Sequence, residues 1–410
     1  MSFLKLSVFL VGCFFLGKNL INRKSTPFFN FTSILYFAIG LLASGYLYLV
    51  TKYFSAPWWL ALSPHLLAGV FSVFKRNLVF TPPGRIAKGP AFILGVCFLL
   101  YTLPNIVQGL RMGFGAYPKE FYSVDTPYYL SFVHALLQQN SLPIYSLEDF
   151  HFVFDVQLGV CSLAALISAL SGLAAHTAFV VVVLFLGMTL YFAFAAKLAH
   201  TLAGHLKGYC WLLFLLLLLI GTSHYMFNFF KPASWIDTVL GEEKYVANFP
   251  LLTSFYGLLI TLAWLLCVLK IEEKDYRITA GILAGLLIVY KIVYAPVVML
   301  GYGSVCLYQY WRTRKPVWLA GPAAALAFSY LSYKMFSPGA LAYGGTTRIV
   351  FSSLAIFSAK HLFYCRPVFA ACRRLCGWRL ADTPAGNTDT LSRHFYSHLR
   401  RLRPFGGGKH

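Results

Sequence analysis

From its N-terminus, the chain alternates between apolar runs and short polar connections. The runs cover residues 3–21, 28–50, 57–74, 90–110, 156–172, 176–196, 209–230, 251–270, 278–311, 317–336 and 349–364. A helix rises about 1.5 Å per residue, so ~20 apolar residues cross a hydrocarbon layer ~30 Å thick. The pattern predicts an all-α fold, a polytopic transmembrane helical bundle of about eleven spans. The short alternating segments of a β-barrel are absent. Residues 278–311 are too many for one straight span. Pro296 and the Gly301-Tyr302-Gly303 run interrupt them, so a broken or long helix is expected there. The Gly281-x3-Gly285 spacing allows close helix packing. No internal repeat is evident, which disfavours inverted-repeat transporter folds.

Between residues 112 and 155 the apolar pattern lapses. This is the longest polar stretch between runs, and it gathers scarce carboxylates. The chain has 13 Asp plus Glu, none before Glu120, and Glu120, Asp125, Glu148, Asp149 and Asp155 all lie here. Within it, Thr126 can cap a helix and Pro127 suits a first helical position, because its missing N–H would be unpaired anyway. A helix then runs to about Gln139. Leu130, Val133 and Leu137 share one face, and Tyr128, Ser131, His134 and Gln138 another. This helix is too short and too polar to span. It is expected to lie in the interface plane, with Asp125 at its N-terminal end. Taken alone, Asp125 and Asp155 also suit helix caps, and His134 an interfacial hydrogen bond.

Composition agrees with lipid as the solvent. Hydrophobic residues make up 59% and charged residues 11%, with a mean hydropathy of +0.67; soluble domains carry about 25% charged residues. The net charge of +21 sits in short loops and in the tail. It reads as membrane orientation and anionic-lipid contact, since no nucleic-acid motif interleaves with it. The loop with Lys75, Arg76, Arg85 and Lys88 carries no acid and marks the cytoplasmic side, as do Arg312, Arg314 and Lys315. The N-terminus and residues 112–155 then fall outside. Lys18, Arg23 and Lys24 follow the first run and no cleavage site stands out, so that run is expected to be a retained span. Residues 1–371 form the transmembrane domain, and residues 372–410 a basic cytoplasmic tail, partly disordered and held to anionic lipid. The nine cysteines form no metal or CxxC pattern. Several are buried small hydrophobes, and Cys365, Cys372 and Cys376 are candidate palmitoylation sites.

One resemblance bears on function. An apolar run is followed by a loop with an early aspartate, an interfacial helix, Leu142-Pro143, an aromatic run, and then FVFDVQLGVCSLAALISALSGL from Phe152 to Leu173. This order resembles the first large extracytoplasmic loop of GT-C superfamily glycosyltransferases, and the likeness covers about residues 101–200. Two features depart from the family pattern: extra spans precede the loop, and Asp125 is followed by Thr126 rather than by a second acid. The resemblance implies transfer of a hexose or pentose from a polyprenyl-phosphate-linked donor to an envelope glycan or lipid acceptor. The reaction would take place on the outer face of a prokaryotic plasma membrane. It assigns the catalytic carboxylate to Asp125 and a second acidic site to Asp155.

That chemistry needs a base for the acceptor hydroxyl and cations for the departing lipid phosphate. Lys291, alone in an apolar run, is the foremost candidate cation, and snorkelling or pairing with a carboxylate would equally explain it. Arg348 and Lys231, at the borders of runs, are alternative phosphate partners, and Tyr128 and His134 are candidate substrate-binding residues. His65 and His224 read as helix–helix hydrogen-bonders. Mg or Mn would suit the reaction, yet no ligand cluster in the sequence requires a metal. The competing reading is a transporter or flippase for a lipid-linked or anionic substrate.

Overall fold

The protein, seen here as a computed structural model, is described at residues 2–21, 31–74, 95–96, 98–99, 125–142, 144–145, 153–154, 158–203, 252–292 and 294–336. The chain divides into two compact units, Met1–Thr346 and Thr347–His410, and all of these residues belong to the first. Asp155, Lys231, Arg348, His224, the 75–88 loop, the apolar runs 209–230 and 349–364 and the basic tail lie outside the described residues.

Ten α-helices form the described part: α1 (Ser2–Ile21), α2 (Phe31–Tyr53), α3 (Ser63–Phe74), α4 (Asp125–Gln138), α5 (Leu158–Ser171), α6 (Leu184–Ala203), α7 (Leu252–Val268), α8 (Lys274–Tyr290), α9 (Ala295–Thr313) and α10 (Val317–Phe336). A short helical turn, Ala175–Thr177, and a π-helical stretch, Ala178–Val183, lead into α6. Ile144–Tyr145 and Val153–Phe154 pair as a minimal antiparallel ladder, Ile144 opposite Phe154.

The all-α class stands, but about eleven spans do not. Among the described residues three helices are long and apolar enough to cross a membrane: Phe3–Ile21, Thr32–Tyr53 and Ala175–Thr201. They are consistent with a multi-pass membrane protein. Among the described residues, several other apolar runs fall short for local reasons. Residues 57–74 divide into a 3₁₀ turn, Trp58–Leu62, and the 12-residue α3. Helix α5 has 14 residues, which rise only ~21 Å. Residues 278–311 break into α8 and α9. Helices α9 and α10 have the length, but Gly, Ser, Tyr and a terminal Arg312 or Lys334 dilute their apolar content.

Close approach of α1 and α2 starts the packing. Gly17 lies on the Tyr36 carbonyl and Gly40 on the Cys13 carbonyl, and neither site has room for a Cβ. Small residues permit such contact where the hydrophobic effect cannot drive association. Ser44 on α2 hydrogen-bonds His65 Nε2 of α3 at 2.7 Å and donates to Gly40 O at 2.6 Å. Helix α2 ends where Ser55 turns left-handed (φ 51°) and the Ala56 N–H bonds Thr51 O at 2.7 Å, a common helix stop.

Tyrosines then tie distant helices to backbone carbonyls. Tyr290, the last residue of α8, donates to Leu42 O of α2 at 2.6 Å. A Cβ at Gly45 would meet its hydroxyl at 2.5 Å, and one at Gly159 of α5 would meet its ring at 2.9 Å. Tyr256 of α7 stacks on Tyr290 at 6.0 Å and donates to Val183 O, at the end of the π-helical stretch, at 2.8 Å. All these side chains are buried, so each hydroxyl needs an internal acceptor.

Two substitutions separate these contributions. Gly40→Val is expected to overpack the α1–α2 contact and cost more than about 2 kcal/mol. Tyr290→Phe keeps the ring and is expected to cost about 1 kcal/mol. Thermal unfolding of both variants in detergent checks the order.

Candidate functional site

The candidate site lies at one end of the bundle, and hydrogen bonds fix which end. Thr32 Oγ1 lies 3.3 Å from Tyr276 Oη near the starts of α2 and α8, and Tyr290 at the end of α8 reaches Leu42. The two helices therefore run parallel, and both finish toward the same end. There α4 lies across the bundle. Tyr48 donates to Leu136 O at 3.1 Å, and Lys52 Nζ donates to Gln139 O at 2.7 Å. Lys52 is 5% exposed and lies 5.5 Å from the centre of the Tyr48 ring. It places a cation against the C-terminal carbonyls of α4, where the helix dipole is negative.

The sequence pattern anticipated α4 closely. The helix begins at Asp125, so Thr126 and Pro127 lie inside its first turn rather than at the cap and first position, and it ends at Gln138. His134 and Gln138, one turn apart, are exposed, while Phe132, Val133, Ala135 and Leu136 are buried against the bundle. Leu130 and Leu137, expected on the apolar face with Val133, are half-buried. Asp125 occupies the first helical position and Tyr128 the end of the first turn. Asp155 precedes α5 by three residues and is not described. The Cys161 thiol of α5 points at Tyr129 O at 3.6 Å, so the first half of α4 lies beside the first turn of α5.

Lys291 reaches this end from below. It terminates α8 in an extended conformation, φ −158° and ψ 91°, with its N–H on Leu287 O at 2.8 Å. The apolar run thus breaks at the lysine itself, which lies at a helix terminus rather than mid-helix. Its Cβ and Cγ cover Gly257 of α7, where an added Cβ would stand 2.7 and 2.9 Å away. Tyr294 crowds the same glycine at 2.6 Å, and burial pushes its phenol pKa up, keeping it protonated and able to donate. Pro296 in the first turn of α9 suits a new helix start, so the interruption expected near Pro296 falls a few residues earlier, while α9 runs unbroken through Gly301-Tyr302-Gly303, where a second was expected. Because Tyr290 packs on Gly45, Lys291 sits ~12 Å short of the end of α2 at Tyr53.

The structure therefore sets the N-terminal half of α4 beside the first turn of α5, and that turn against Tyr290, the neighbour of Lys291. Two residues were missed. Lys52 lies just past the apolar run 28–50 and completes the last turn of α2, and that position alone could have flagged it as a cap. His176, 7% exposed, lies on the turn Ala175–Thr177 that packs on α4, within electrostatic range of His134. Its sequence position at the head of an apolar run gave no signal.

Among the described residues no group of three or more His, Cys, Asp or Glu could hold a metal ion. A cavity of about 510 Å³ lies between α1, α2, α8 and α10 and is lined by apolar residues and tyrosines. Neither Lys291 nor any residue of α4 lines it. No known protein family, curated protein or solved structure matches the chain.

The Lys52 contact is testable without a substrate. Lys52→Met removes a charged donor from Gln139 O and is expected to loosen α4 by about 1.5 kcal/mol. Hydrogen exchange should then rise across Asp125–Gln138 and stay unchanged in α1.

Proposed function

We infer that the protein is a GT-C-like membrane glycosyltransferase acting on the outer face of a prokaryotic plasma membrane. It moves a hexose or pentose from a polyprenyl-phosphate-linked donor to an envelope glycan or lipid acceptor. The observation that carries this reading is one shared location: a helix headed by Asp125 and a lysine at a helix break occupy the same end of an apolar bundle. The sequence resemblance over residues 101–200 supports it independently.

In this reading Asp125 takes the proton of the acceptor hydroxyl as its oxygen attacks the anomeric carbon. The bond from that carbon to the phosphate oxygen breaks, and the polyprenyl phosphate leaves with the electron pair. Lys291 meets the charge that develops on the phosphate, with Lys231 and Arg348 as further cations. Tyr128 and His134 are assigned to substrate binding, and Asp155, three residues before α5 in sequence, is a second carboxylate. Mg or Mn would add charge neutralisation at the same phosphate.

The helix break also favours a second reading, a transporter or flippase for a lipid-linked or anionic substrate, because transporters bind substrates at interrupted helices. Transfer assays separate the two. Membranes carrying the full chain, given labelled polyprenyl-phosphate hexoses and pentoses, are expected to glycosylate an added acceptor extract. Asp125→Asn should lower that transfer at least about a hundredfold, and Lys291→Gln about a hundredfold, with unchanged melting temperature in detergent. Full transfer by a folded Asp125→Asn protein sinks the catalytic assignment. Movement of the lipid-linked sugar between leaflets without transfer selects the second reading.

A further inference from the structure

The apolar cavity lies along α8 and points to a different ligand. Its walls include Leu16 and Leu20 of α1, Leu47 of α2, Ile282 of α8, and Ala324 and Phe328 of α10. Two tyrosines also line it, but their hydroxyls are engaged elsewhere. Tyr302 Oη donates to Arg277 O at 2.9 Å, and Tyr46 Oη accepts from Ser332 at 3.2 Å. The space therefore offers a ligand almost only carbon. Its volume of about 510 Å³ falls within the ~300–1,000 Å³ of small-ligand sites. From Ile278 to Leu286, both lining residues, α8 rises ~12 Å. The groove is thus elongated along the helix axis.

One end of the groove carries charge. Arg277 immediately precedes Ile278, and its guanidinium lies 4.4 Å over the Trp318 ring. Lys270, on the connection before α8, lies 5.3 Å over Tyr276. Cations held on Trp and Tyr faces mark headgroup level in a bilayer protein. The same turn carries Glu272, Glu273 and Asp275, which equal Lys270, Lys274 and Arg277 in number, and Glu272 lies 3.8 Å from Arg312. Selection therefore rests on the position of Arg277 at the head of the groove, not on bulk charge. A guanidinium stacked on an indole keeps its N–H edge for a phosphate.

We propose that this groove binds one anionic diacyl phospholipid, with an acyl chain along α8 and its phosphate at Arg277. The site is at the opposite end of the bundle from α4, since Tyr276 pairs with Thr32 at the start of α2. It is independent of the transfer reaction.

The test is native mass spectrometry of the full chain in detergent. Phosphatidylglycerol and phosphatidylcholine of identical chains are each titrated in. Wild type is expected to retain phosphatidylglycerol about fivefold more strongly, the value of one cation near a headgroup. Arg277→Gln should reduce binding to the phosphatidylcholine level. Ala324→Phe should remove both lipids by filling the groove, with Ile282→Phe as the replacement if Ala324→Phe does not fold. Equal retention of the two lipids by wild type overturns the proposal. So does unchanged phosphatidylglycerol binding in a folded groove-filling variant, or no binding at all, as when the chain's own residues occupy the space.

Discussion

The phenol of Tyr290 is the contact on which the described bundle most depends. It must find an acceptor inside an apolar interior, and it finds one on α2. To get there the side chain passes between two glycines, Gly45 and Gly159. That single requirement sets how deep α8 sits and how close α2 and α5 approach. Tyr256 repeats the arrangement one helix away, with its own carbonyl on Val183 and its own glycine, Gly187, beneath the ring. Backbone carbonyls can take such a second donor because each has two lone pairs.

Much of this was open to reading from the residues, and the errors have a common cause. Apolar runs gave the all-α class, and the Thr126-Pro127 pair with its amphipathic period placed the end of α4 within a residue and its start two residues late. Hydropathy alone could not separate a helix that crosses a bilayer from one that packs on its neighbours. The 14-residue α5 is as apolar as a span, and so is the helix–turn pair within 57–74. Counting runs therefore overestimated the spans. Lys291 shows the same limit at one residue. An apolar flank suggested burial mid-helix, whereas the conflict between a continuing helix and Pro296 is settled by ending α8 at the lysine. The placing of α4 on α5, and of α5 on Tyr290 beside Lys291, was not legible, because it depends on long-range contacts such as Tyr290 to Leu42, which have no local period.

The bundle presents two chemically unlike ends. Toward α4, two buried or part-buried cations are held at helix termini: Lys52 on a C-terminal carbonyl and Lys291 at a break. Toward the start of α8, cations rest on aromatic faces above an apolar groove. A polar group in either place is stabilised by proximity to a helix end or a ring rather than by bulk water, which is the economical solution where charged residues are only 11% of the chain.

The contact between Lys52 and Gln139 bears on how a molecule could settle above α4. Pinned by that ammonium at its last carbonyls and by Tyr48 one turn earlier, the helix is a fixed shelf rather than a swinging flap. A visitor arriving from the aqueous side meets a platform whose rotational freedom was surrendered during folding. Encounter at that surface is therefore limited by fit and desolvation, not by waiting for the protein to assemble a receptor.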